Sequence, residues 1–337
     1  MAKAAPRRHL SLEERLTVRS SRPRFVAPPA CLRYASTRPP PLAWRLNSGV
    51  RPMRWKRLAI VVVVLVAAGL VVTLVIGQVL ISPAQHSIGS APADLGAEPV
   101  KVESSVGPIS GWLIRGTKPK GAVLLLHGVR SNRLQMVPRA RWLKNLGYSV
   151  LLIDLPAHGE TPGDHITFGF NEAKAVDASL NYLHQQFPKR PVGIIGVSLG
   201  AASTALSNPN QSPNAVVLES MYPTINDAIN DRLSIHLGKF GPYFAPLLLW
   251  QIPARLDVPA RELRPIDHLK GLSSPVLIAS GTKDQHTRID EARSIYQAAS
   301  EPKEFWEVQG AAHVDLFDFD PATYKAHIEP FLQKYVN

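Results

Sequence analysis

A serine, an aspartate and a histidine, far apart in the sequence but each in a short turn rich in small residues, carry the chemistry this chain is equipped for. Ser198 stands in Gly196-Val197-Ser198-Leu199-Gly200, after the apolar run Val192–Val197 and before the small-residue stretch Ala201-Ala202-Ser203. A sharp strand-to-helix turn of this kind lifts a serine hydroxyl clear of a sheet, with glycines letting neighbouring backbone approach. The hydroxyl still needs a base, and the base needs an acid to orient it. His313 closes Gly310-Ala311-Ala312-His313 after the strand pattern 304–308, and Asp284 closes Gly281-Thr282-Lys283-Asp284 after 275–280. His313 is therefore the expected general base and Asp284 its partner, with Glu219, at the end of the run 215–219, as the alternative acid. The chemistry is nucleophilic attack on a carbonyl.

An oxyanion formed in that attack needs two backbone donors. The amide of Leu199, first in the helix after the serine, supplies one; the amide of Val129, in the turn His127-Gly128-Val129, supplies the other. His127 reads as a structural hydrogen-bonder behind this turn. Arg130 and Arg133, just beyond it, are candidates for holding a substrate carboxylate or phosphate, and equally for solvated loop charges. His313, Asp315, Asp318 and Asp320 have metal-ligand spacing, but a base at 313 is no longer available as a ligand, so no metal is expected.

The elements that must position these groups alternate in type. Strand patterns fall at 100–104, 109–115, 121–126, 148–154, 192–197, 215–219, 275–280 and 304–308, and helical patterns at about 138–146, 170–187, 199–207, 224–237, 288–299 and 321–335. The central strands are almost continuously apolar, as strands covered on both faces are. The first two flank Gly107-Pro108 and form a hairpin; the rest is strand–helix alternation, which implies a doubly wound, mostly parallel sheet. Active groups in such sheets collect at the carboxyl ends of strands, where Ser198, Asp284 and His313 all stand. Residues 221–274 are too long for a plain connection and read as a small helical cap. Its run Tyr243, Phe244, Leu247, Leu248, Leu249, Trp250 is a packing face, the wall of an acyl-chain pocket, or a surface dipping into a bilayer.

The net charge of +12 does not point to nucleic acid. Residues 1–57 hold 14 Lys and Arg against 2 Asp and Glu, the whole of the excess, while 58–337 carries 24 of each sign. The tail, with its prolines and like charges, is expected to be unstructured, and Met53 offers an alternative start. Cys31, the only cysteine, excludes an internal disulfide and a cysteine nucleophile. From Leu58 to Ile81 run 24 residues without a charge, enough to cross a bilayer as a helix and too long for the core of a cleaved signal peptide. Arg51, Arg54, Lys56 and Arg57 precede this span, and 82–100 carries no Lys or Arg. The N-terminus is then expected in the cytoplasm, with a linker over 82–99 leading to a catalytic domain, 100–337, on the periplasmic or extracellular side.

Taken together, His127-Gly128, Asp154 through Gly159, Gly196 to Gly200, Gly281 to Asp284 and Gly310 to His313 resemble the α/β-hydrolase superfamily, and within it the membrane-anchored, Bem46-like and serine-aminopeptidase-like branch. The resemblance covers roughly 100–337. It implies an eight-stranded sheet, a covalent acyl-enzyme on serine, neither metal nor organic cofactor, and ester, thioester or sometimes amide substrates. One motif departs: Asp154-Leu155-Pro156-Ala157-His158-Gly159 replaces the usual acidic-Arg-Gly-x-Gly loop after the fourth strand. An exopeptidase would need a cap carboxylate for the substrate ammonium, for which Asp227, Asp231, Asp257 and Glu262 are available; a non-catalytic interaction module is the reading from another class. A serine at the elbow excludes an aspartate-nucleophile dehalogenase or epoxide hydrolase.

Overall fold

A computed structural model describes residues 53–118 and 120–337, so the basic segment with Cys31 lies outside the described residues. Helix α1 (Met53–Ile81) contains the uncharged run. Its side chains are exposed all round from Leu58 to Val72; beyond that Thr73, Gly77, Leu80 and Ile81 turn inward. That spacing is one helix face, and it packs on the rest of the unit formed by Trp55–Asn337.

The sheet runs β1 (Glu98–Val102), β2 (Ile109–Ile114), β3 (Ala122–Leu126), β4 (Ser149–Ile153), β5 (Val192–Val197), β6 (Ala215–Glu219), β7 (Val276–Gly281) and β8 (Lys303–Val308). Its spatial order is β8-β7-β6-β5-β3-β4-β2-β1. The first two strands form the expected antiparallel hairpin, β2 is antiparallel to β4, and all other pairs are parallel. Strands β3 to β7 are buried at every position, as their unbroken apolar sequence requires, whereas the edge strand β8 alternates. The register Leu126 opposite Gly196, Val197 opposite Glu219 and Gly281 opposite Val308 brings the carboxyl ends of the central strands to one level.

Helices α2 (Val137–Leu146), α3 (Phe170–Gln186), α4 (Leu199–Leu206), α5 (Ile225–Leu237), α6 (Ala245–Leu249), α7 (Gln251–Leu256), α8 (Ile289–Ala298) and α9 (Pro321–Tyr335) complete the unit. One apolar layer sets Trp142 and Leu143 of α2 and Tyr324, Phe331 and Leu332 of α9 against the sheet. The opposite layer sets Val176, Leu180 and Leu183 of α3 against β3 and β4. Between β6 and β7 the chain builds α5, α6 and α7, whose Ile225, Ile229, Leu248 and Ile252 close a separate small core. Residues 82–99 are more engaged than a linker: Ala84 and Gln85 pair in parallel with His158 and Gly159, and Leu95 is wholly buried in the main core.

Where α5 meets α8, Asp231 and Glu291 share Arg288, at 3.2 and 3.1 Å. Burial first, and then the neighbouring Asp231 carboxyl, push Glu291 from its ordinary 4.5 up to about 7. The folded chain thus keeps a proton that the unfolded chain releases near 4.5, so stability is fully present below that pH and falls as pH rises towards 7. Glu291→Gln keeps an acceptor for the Arg288 amide and is expected to remove this part of the fall. Thermal unfolding between pH 4.5 and 7 checks it, and an unchanged slope in the variant would show that Glu291 ionises normally.

Candidate active site

Ser198 sits between β5 and α4 with φ 50° and ψ −105°, a region L-residues rarely enter. Its surroundings enforce this. A methyl at Gly196 would lie 2.7 Å from the Ala201 amide nitrogen, and one at Gly200 would lie 2.6 Å from the Leu126 carbonyl oxygen. Only glycine lets the turn close this tightly. The Ser198 amide donates to the Glu219 carbonyl at 2.8 Å, pinning the turn to β6.

Asp284 and His313 come together as the sequence predicts. The imidazole Nδ1 lies 2.8 Å from Asp284 Oδ2. The same carboxylate accepts from the amides of His286 and Thr287 at 2.8 and 3.0 Å, and from the Thr287 hydroxyl at 2.8 Å. Burial alone would raise the Asp284 carboxyl, but His313 and Thr287 more than offset it and hold it below the usual range. An ionised carboxylate on Nδ1 fixes the tautomer that leaves Nε2 free to take a proton. Among the described residues the Ser198 hydroxyl makes no hydrogen bond to His313, an approach that free hydrolytic sites commonly complete only with substrate bound. Glu219, the alternative acid, is engaged elsewhere: it is buried against Arg139 and Tyr324.

Val129 and Leu199 line one cavity together with Ser198. The Leu199 amide is the first of α4, where helices leave donors unpaired. His127 is structural: Nδ1 donates to the Gly128 carbonyl at 2.7 Å and Nε2 accepts from the Leu155 amide at 3.0 Å. Burial, and then His158, drive it down to about 3, so it stays neutral. His158, in the departing loop, likewise accepts the Arg130 amide at 3.0 Å and holds Arg130 at φ 58°.

The two arginines offered as substrate-binding candidates both have partners within the protein. Arg133 is buried between Asp154, at 2.7 Å, and Glu160, with its guanidinium over the Trp112 ring at 4.5 Å, and does not line the cavity beside Ser198. Arg130 borders the cavity, but its guanidinium bonds the Val79 carbonyl and the Ser82 hydroxyl at the end of α1. Loop position could not reveal either partner.

Four groups escaped sequence reasoning. Arg232 of α5 lines the cavity, and burial lowers its pKa. His286 lies with its ring 5.0 Å from that of His313, and burial first, then that neighbour, lower its pKa. Arg139 is wholly buried and bonds Glu219 at 2.7 Å, Asp315 at 2.8 Å and Tyr324 at 3.1 Å. Gln135 takes the Gly128 amide at 3.0 Å and donates to Asp315 at 3.2 Å. No short motif announces any of them; the one available signal was an arginine at an inward position of α2.

Arg139→Met leaves Glu219 and Asp315 facing each other without their cation. Breaking a buried pair this way costs about 3–5 kcal/mol, which lowers Tm by roughly 4–9 °C in a chain of this size. Thermal unfolding of the full chain in detergent micelles measures this. A loss under about 1 kcal/mol would mean that water reaches the network.

The cavity volume is about 560 Å³, and apolar side chains make most of its wall. Residues 123–326 match the alpha/beta hydrolase family. An uncharacterized protein of Bacillus subtilis strain 168, YqkD, is 21% identical over 228 residues, covering 66% of this chain and 75% of its own. The Pyrococcus furiosus esterase Pf2001 superposes with a TM-score of 0.62 at 23% identity, over 77% of this chain and 99% of that one. The acylaminoacyl peptidase of Pyrococcus horikoshii superposes with a TM-score of 0.54 at 14% identity, over 71% of this chain and 42% of its own. At this level of identity the likeness to the two solved structures extends to the fold and not to a substrate. With more than half its length matched, the chain belongs to the alpha/beta hydrolase family.

Proposed function

We propose that this chain is a membrane-anchored serine hydrolase that cleaves carboxylic esters or thioesters. The carrying observation is the 2.8 Å bond between His313 and Asp284 on the same sheet edge as a serine held at φ 50°. His313 takes the Ser198 proton as the oxygen attacks the acyl carbon. The amides of Leu199 and Val129 receive the developing oxyanion, and Asp284 offsets the imidazolium charge. The alcohol or thiol leaves with the proton from His313; water, activated by the same base, then frees the acid and restores the serine.

The ester reading has the support of the cavity wall. The side chains around Ser198 are apolar apart from Ser198 itself, Tyr222, Arg130, Arg232 and His236, with no carboxylate among them. A substrate ammonium would meet cations there. None of the four candidate carboxylates lines the cavity: Asp227 accepts from the Thr224 hydroxyl at 2.6 Å, Asp231 pairs with Arg288, and Asp257 and Glu262 are exposed elsewhere on the cap. The esterase name of the Pyrococcus furiosus relative points the same way. A non-catalytic module would have no use for a strained serine above an open cavity. The apolar length of α1 and the basic residues before it support a single span, with the N-terminus cytoplasmic and the catalytic domain on the opposite face.

Fluorophosphonate labelling and turnover of a short-chain ester by the full chain in micelles test this. Ser198→Ala is expected to lose labelling completely and kcat by about 10⁴-fold or more, and Asp284→Asn to lose about 10⁴-fold in kcat with the serine present. Persistent labelling of Ser198→Ala would overturn the assignment.

A further inference from the structure

The anchor helix does more than lead to the site. Ile76 and Leu80 of α1 line the same cavity as Ser198, opposite Leu233 and Leu237 of α5 and Leu248 of α6. Ile76 and Leu237 are also exposed, at 42% and 47%, so they stand at the mouth. Helices α1 and α7 meet through polar contacts. Gln251 donates to the Thr73 carbonyl at 3.2 Å, Arg255 bonds the Leu74 carbonyl at 3.0 Å and the Gln78 side chain, and the Gln251 amide group packs directly on Gly77. The upper third of α1 is thus a wall of the catalytic pocket.

Helix length then fixes the height of the cap. The part of α1 free of protein contact, Leu58–Val72, spans only about 22 Å at 1.5 Å per residue. The hydrocarbon core is ~30 Å thick, and tilting the helix only increases the length required. Trp55, Lys56 and Arg57 mark the lower boundary, so the missing ~8 Å must come from the turn beyond Val72, up to about Gly77. That is the level at which Gln251 and Arg255 of α7 are docked. The cap segment that runs into α7 is dressed accordingly: Phe240, Tyr243 and Trp250 are 61%, 80% and 71% exposed, and Phe244 and Leu247 in the same segment are exposed as well. Lys239 lies over the Phe240 ring at 5.4 Å. Aromatic rings with a neighbouring cation are what a membrane–water boundary selects, and a water-facing cap has no use for five large apolar side chains together. The two faces of α6 serve the two sides: Leu247 points out from the patch and Leu248 into the cavity.

We infer that this aromatic face of the cap lies in the bilayer surface, and that the catalytic pocket takes its substrate sideways from the membrane, between Ile76 and Leu237, as an acyl ester borne by a lipid. The inference rests on the serine-esterase reading above. The acyl chain occupies the apolar cavity, its carbonyl carbon bonds the Ser198 oxygen, and the ester oxygen departs with the His313 proton as the alcohol; water then releases the fatty acid.

Two measurements on the full chain in phosphatidylcholine vesicles test it. In the first, Cys31→Ser with Tyr243→Cys carries a nitroxide at position 243. Dissolved oxygen is expected to relax the label more than a water-soluble nickel complex does. Dominant nickel relaxation would place the patch in water, and dipolar broadening between labels would show a second copy covering it; either result overturns the inference. In the second, the triple variant Phe240→Ser, Tyr243→Ser, Trp250→Ser is compared with the native chain. It is expected to hydrolyse a long-chain acyl ester embedded in the vesicles at least 10-fold more slowly, and a soluble short-chain ester within twofold of the native rate. Equal loss on both substrates, or no loss on either, refutes lateral entry. A native chain that takes neither the fluorophosphonate label nor the short ester fails at the serine-esterase reading instead, and the nitroxide result then stands alone.

Discussion

One buried guanidinium, that of Arg139, holds together three loops that the sheet alone only brings near one another. It grips Glu219, whose backbone carbonyl receives the amide of Ser198, and it grips Asp315, two residues beyond His313. Asp315 in turn receives Gln135, which holds the Gly128 amide in the oxyanion turn. The proposed nucleophile, base and oxyanion donor are therefore tied through four side chains with little freedom. Burial opposes the charge on Arg139, yet Glu219, Tyr324 and Asp315 surround it and keep its pKa well above the ordinary value. Every partner is needed because each of the others would be expensive to leave alone.

Much of the frame was legible because it obeys rules that act over a few residues. Unbroken apolar runs of the length of Ala122–Leu126 or Val192–Val197 have to be strands covered on both sides, and the alternation with helices dictates a parallel sheet. Once the sheet is parallel, the turns after its strands face one edge, and Ser198, Asp284 and His313 follow. The pairing of His313 with Asp284 rather than Glu219 was left open by the sequence, because both acids end neighbouring strands. It is decided by Arg139 and Tyr324, which occupy Glu219 from helices far away in the chain.

What remained unreadable depends on distant partners. Arg130 and Arg133 stand three residues apart beside the oxyanion turn, yet one reaches the end of α1 and the other is sunk between Asp154 and Glu160. Residues 82–99 carry prolines and read as a spacer, but Leu95 fills a place in the main core and Glu160 receives the amides of Ile88 and Gly89 at 3.0 and 3.2 Å. The cap is the extreme case, since its short helices owe their positions to α1 and to a small core of their own.

The joint between α1 and the sheet has a mechanical meaning. The Ile166 amide bonds the Ile81 carbonyl at 2.8 Å, the Ala84 amide bonds the Ala157 carbonyl at 2.8 Å, and the His86 amide bonds the Gly159 carbonyl at 2.9 Å. A globule on a floppy leash would sweep a hemisphere and meet whatever drifted past in three dimensions. One riveted at its base holds a single altitude and bearing, so under the proposed anchoring its encounters would reduce to a search in a plane, and its substrates would be ranked by how they partition into that plane before any pocket contact is made.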